Sequence, residues 1–167
     1  GIVTAILASI KVAAVMLAAL AIYWQDFAIV ADEAARSDIA THMIAIPFLL
    51  LFLLYRRRRV AWATIVHERL ELGKERVAVD TLAGGMLFTS AVALYWHGSY
   101  TFQPLEYHLA SLPVFVAGLI LTLFGRGTLR ALAFPLVFLL LLIPPPETLA
   151  YLLGSMMASF SSQAAYL

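Results

Sequence analysis

The chain contains no cysteine. Disulfides, thiolate metal sites and a cysteine nucleophile are therefore excluded within these residues. Charge is scarce as well. Asp, Glu, Lys and Arg make up 13% of the chain, against about 25% in soluble domains. Several patterns are missing: the alternating strands of an outer-membrane barrel, HExxH and other fixed metal-ligand spacings, the GxSxG of serine hydrolases, and any repeat between the two halves. The net charge of +1 is uninformative by itself, so the charges matter through their distribution.

What the chain does have is apolar length. Hydrophobic residues make up 63% of it, with a mean hydropathy of +0.92. A chain this apolar cannot bury its side chains in a core of its own, and lipid must act as solvent. Apolar runs fall near 2–24, 39–55, 77–95, 109–124, 131–143 and 148–167. The pattern predicts an all-α polytopic membrane helix bundle of about six transmembrane helices, a single transmembrane domain over 1–167 with a basic cytoplasmic loop at 56–76. The second, fourth and fifth runs are shorter than the roughly 20 residues of a straight span, so snorkelling flanks or longer boundaries are needed. Gly1 stands where an initiator Met would. Leu167 ends the chain inside an apolar run, which creates the expectation that this is part of a longer protein.

Charge sets the expected direction. The 56–76 segment carries Arg56, Arg57, Arg58, Arg59, Arg69, Lys74 and Arg76, and the connection after the fourth run carries Arg126 and Arg130. The connections after the first, third and fifth runs carry only Arg36. The positive-inside rule then puts the amino terminus in the cytoplasm. Because the four arginines abut an apolar run, they read as a stop signal and a contact for anionic lipid headgroups, with no nucleic-acid partner expected.

Candidate chemistry is sparse. Lys11 lies inside the first run and either snorkels or faces a partner helix. Asp80 is the other charge within an apolar run. The outer connections hold Asp38 with His42, His97 with Glu106 and His108, and Glu147. Three histidines near one surface leave two readings, a haem or copper site or interfacial hydrogen-bonded side chains. Ser155, Ser159, Ser161 and Ser162 suit helix packing, as do Gly84, Gly85 and Gly154. Pro47 kinks its helix, and Pro135 comes early in the fifth run, where a proline costs least.

Two stretches carry a resemblance. GRGTLR at 125–130 is followed by FPLVFLL from Phe134 and by Ile143 with Pro144, Pro145 and Pro146. Earlier, Asp38 and His42 precede Ile46, Pro47 and the Tyr55–Arg59 cluster. Together these resemble the exosortase/archaeosortase family. The resemblance implies a multi-spanning cysteine transpeptidase-like protease acting on the carboxy-terminal sorting signals of surface proteins in the cell membrane. The family's catalytic cysteine, and the arginine and histidine serving it, fall in helices beyond a sixth span. No catalytic residue therefore transfers to this chain. His42, Arg126, Arg130, Pro135, Pro144 and Pro146 are motif positions of structural or open role, with Arg126 and Arg130 suited to topology and headgroup contact. No metal or other cofactor is implied. The expected partners are membrane lipid, the transmembrane sorting signal of substrate proteins and other membrane subunits. Two further readings stand beside the protease: a non-catalytic integral membrane subunit of a larger complex, and a haem- or copper-binding membrane protein.

Overall fold

The computed structural model describes residues 2–36, 41–71, 73–143 and Ser155. Among the described residues before Pro144, five α-helices follow in order: α1 (Ile2–Arg36), α2 (Thr41–Glu71), α3 (Lys74–Ser99), α4 (Pro104–Leu123) and α5 (Arg126–Phe138), the last continued by a 3-10 turn, Leu139–Leu142. The described residues contain no strand. Three of these helices, α1, α3 and α4, are long and apolar enough to cross a membrane. Calls on Asp38, Pro144, Pro146, Glu147, Gly154 and most of the sixth run lie outside the described residues. Ser155 is helical and exposed.

Two helices run further than their apolar cores. α1 has 35 residues, about 52 Å at 1.5 Å per residue, which exceeds the ~30 Å hydrocarbon layer. The acidic stretch after Trp24 stays helical because it holds neither glycine nor proline and is rich in alanine. An exposed Asp32–Arg36 pair four residues apart fits that last turn at 3.0 Å. α2 likewise passes through the four arginines to Glu71 without a break. Arg, Ala, Leu and Glu are all good helix formers, so the basic segment is mostly helix.

α3 and α4 make the most extensive pairing in the bundle. Glycine permits it. A Cβ on Gly84 would collide with the Thr122 side chain and lie 2.7 Å from its backbone nitrogen, and one on Gly118 would lie 2.7 Å from the backbone nitrogen of Phe88. The two backbones are therefore in contact. Gly85 faces open space, with nothing within 4 Å of its would-be Cβ. Of the glycine pair, only Gly84 serves the α3–α4 approach.

α1 lies against α4 and α2, and α5 against α2 and α4. The core between them holds Tyr23, Leu109, Leu112 and Phe115, with Phe124, Leu136 and Leu139 toward α5. Tyr23 meets Tyr95 and Phe115 edge-on, at centroid distances of 5.4 and 5.7 Å, the favoured aromatic arrangement. Large apolar side chains such as Leu17, Phe48, Met86 and Phe134 point outward, as expected of surfaces wetted by lipid.

Candidate functional site

Proline chemistry explains one α2–α5 contact. The helix starts at Arg126, not at Ala131, so Pro135 sits well inside α5 and is fully buried. This corrects the reading of Pro135 as an early, inexpensive proline. An interior proline has no N–H for the carbonyl four residues back. That carbonyl belongs to Ala131, and Arg57 Nη1 donates to it at 3.1 Å. An arginine of the basic run thus satisfies a backbone acceptor that the proline leaves open. On the same interface, the fully buried Thr128 hydroxyl reaches that of Thr64 at 3.3 Å.

Arg126 and Asp80 form the nearest polar centre. Asp80 is buried, and Arg126 donates to its Oδ1 through Nε at 3.0 Å and Nη2 at 2.7 Å. The backbone N–H of Arg126 also approaches Oδ2 at 3.3 Å. The carboxylate on α3 thereby covers the first amide of α5 and holds the arginine, suiting both the helix dipole and the charge. The turn before it needs Gly125, whose φ of 99° lies where L-residues with a side chain are strained. Arg126 is therefore part of an ion pair joining two helices, beyond the topological role read from the sequence. Arg130 is exposed.

A second centre lies at the other end of α3. Asp80 and Ser99 are separated by 19 positions, about 28 Å along a helix axis, close to the thickness of a hydrocarbon core. Here Asp26 of α1 is buried, with 3% of its surface exposed. Its Oδ1 lies 2.7 Å from His108 Nδ1 on α4. Tyr95 Oη approaches Oδ2 at 3.4 Å, a long contact. The other imidazole nitrogen, Nε2, lies 3.0 Å from Ser99 Oγ at the end of α3. The Tyr95 ring stacks on the imidazole at 3.8 Å with a 10° tilt.

A further layer fixes this arrangement. Ser111 donates to the His108 carbonyl at 2.7 Å. Having one hydrogen, its hydroxyl then accepts from Tyr23 Oη, also at 2.7 Å. Gly98 brings the helix ends together: a Cβ there would run into the Tyr107 side chain and lie 3.2 Å from His108 Cδ2. The buried carboxylate is thus paired and the imidazole is held on both nitrogens and on one face, as a buried charge requires.

The sequence singled out His108, and the structure adds two partners that the sequence did not name, Asp26 and Ser99. His97 is exposed and meets the Tyr107 ring edge-on at 5.4 Å, while Asp26 and Ser99 hold His108. His42 falls in the first turn of α2, and its side chain lies outside the described residues. Among the described residues no three His, Cys, Asp or Glu side chains gather as a metal would need. Asp26 carried one usable signal. The buried positions of α1 are Ala8, Val15, Tyr23, Asp26, Val30 and Ala34, a single helical stripe. A carboxylate on the apolar stripe of a helix extended past Trp24 asks for a partner.

A family model described as transmembrane exosortase matches residues 24–167, a stretch that includes both motif regions, Asp26, the Asp80–Arg126 pair and His108. No curated protein and no solved structure matches the chain. Because the match takes in most of the chain, and the helices it covers are those of a membrane protein, the chain belongs to the transmembrane exosortase family.

Proposed function

We propose that this chain is the helical membrane portion of a protein-sorting protease or transpeptidase, one that acts on the carboxy-terminal signals of surface proteins in the cell membrane. The observation that carries this reading is the exosortase match over residues 24–167, together with helices apolar enough to live in lipid. The chain crosses the membrane about six times with its amino terminus inside. That orientation puts Asp26, Ser99 and His108 outside, and Arg57, Arg126 and Arg130 inside. Trp24, Trp96 and Tyr100 are exposed around the first group, the placement of interfacial aromatic residues. The arginine end contacts anionic lipid.

A substrate with a transmembrane sorting signal needs a helix-sized place to dock. Gly84 is already covered by α4, but Gly85 is open. It lies midway between Thr81 and Thr89, both exposed, and each of these turns its hydroxyl to its own helix, at the carbonyls of Val77 and Gly85. Such a face accepts a partner helix closely without leaving a polar group unpaired.

The test is to express the full-length protein with a reporter carrying a carboxy-terminal motif, transmembrane helix and basic tail. Shortening of the reporter that depends on the protein supports the reading. An unprocessed reporter in cells that insert both proteins overturns it. Gly85→Leu should reduce reporter co-purification severalfold while leaving the melting temperature unchanged. Undiminished co-purification would remove Gly85 from the docking face.

A further inference from the structure

Asp26, His108 and Ser99 come from three helices, and their order in space is that of a nucleophilic relay. The carboxylate is buried and lies 2.7 Å from Nδ1. The imidazole side chain is 12% exposed, shielded by the stacked Tyr95 ring. The hydroxyl, 3.0 Å from Nε2, stands at the exposed end of the relay. A carboxylate accepting from Nδ1–H fixes the tautomer with its free lone pair on Nε2, the nitrogen that faces the serine. Such a relay is recognised by geometry and role, not by chain order or fold.

We propose that Ser99, His108 and Asp26 form a serine acyl-transfer unit at the membrane interface, which hydrolyses a carboxylic ester of an amphiphile. Ser99 Oγ bonds to the ester carbonyl carbon as its proton passes to His108 Nε2, and the carbonyl π pair moves onto oxygen. On collapse the bond to the alcohol oxygen breaks, and that oxygen takes the proton from Nε2. Water then repeats the sequence on the acyl-serine, releasing the acid and restoring Ser99. Asp26 stays ionised and stabilises the imidazolium in both halves.

The amphiphilic character of the substrate follows from the surroundings. Trp96, Tyr100 and Phe102 are exposed beside Ser99, and Phe102 wholly so. Aromatic side chains at this level sit where an amphiphile's polar linkage meets its chains.

The same geometry has a purely structural alternative. Ser99 Oγ also lies 3.1 Å from the Tyr95 carbonyl. With His108 doubly protonated, Nε2 would donate to Ser99 and Ser99 to Tyr95, and the serine would be no nucleophile.

The two states separate in one experiment on the full-length protein in detergent. A fluorophosphonate probe is mapped by peptide mass spectrometry, and p-nitrophenyl octanoate hydrolysis is followed alongside. The relay predicts a single adduct on Ser99, absent in Ser99→Ala. It also predicts labelling and hydrolysis reduced by about 100-fold or more in His108→Gln and Asp26→Asn. His108→Gln keeps a polar group beside Asp26, and its melting temperature reports that it folds. No adduct on wild-type Ser99, or labelling that His108→Gln leaves unchanged, overturns the proposal. Because the assay uses no sorting substrate, its outcome is independent of the sorting reading above.

Discussion

At the residue scale, most of the chemistry depends on two buried carboxylates and what meets them. The Asp26 and Asp80 side chains are 5% and 7% exposed, and an unpaired charge at such a depth costs several kcal/mol. Their partners differ in kind. Asp80 has a guanidinium in a fork and an amide, an arrangement that holds position. Asp26 has an imidazole, which can gain and lose a proton. Removing the imidazole should therefore be costly: His108→Ala is expected to destabilise by about 3 kcal/mol, whereas adding Asp26→Asn should restore part of the loss. Thermal unfolding of the two single variants and the double variant in one detergent measures this. Equal and additive losses would mean that the contact carries no coupling. His108 was visible in the sequence, but its partners were not, because Asp26 and Ser99 lie 82 and 9 positions away and no periodicity links them.

At the element scale, small residues and one proline decide how the helices meet. Gly84→Ala should destabilise by about 1–3 kcal/mol through overpacking against the backbone of α4, while Gly85→Ala should be neutral or slightly stabilising, since open space receives the methyl and alanine favours helix. Melting temperatures of the two variants, one position apart, test the assignment. For α5, Arg57→Ala should cost about 1 kcal/mol by taking the donor from the Ala131 carbonyl. In a Pro135→Ala background that loss should shrink, because the new N–H at position 135 serves the same carbonyl. A double-mutant cycle reads the difference, and an unchanged cost of Arg57→Ala would break the link between the proline and the arginine. The helical nature of every described apolar run was legible from composition and period. The extension of α1 to Arg36 was not, because acidic residues after an interfacial tryptophan read equally well as a connection. The start of α5 at Arg126 was also hidden, because its first turn is polar and the apolar run begins only at Ala131.

At the scale of the whole molecule, the described helices carry one polar cluster at each end of α3, about 28 Å apart. Between them lie apolar side chains, outward-facing ones such as Met86 and Val92 and inward-facing ones such as Phe115. Topology gives a prediction suited to a chain without cysteine. Phe102→Cys should react with a membrane-impermeant maleimide added to intact cells, and Trp62→Cys only after permeabilisation. The reverse pattern would invert the proposed orientation, and labelling of both from outside would end it. The sequence by itself determined the solvent, the helical class and the family, because lipid demands apolar length and internally satisfied backbones, and both are written locally along the chain. The tertiary structure alone decided how the buried charges are paired. Contacts such as Asp26 with His108, Asp80 with Arg126 and Arg57 with the Ala131 carbonyl join residues 82, 46 and 74 positions apart. They come about only when glycine-lined helices pack closely enough for a buried polar group to find its partner.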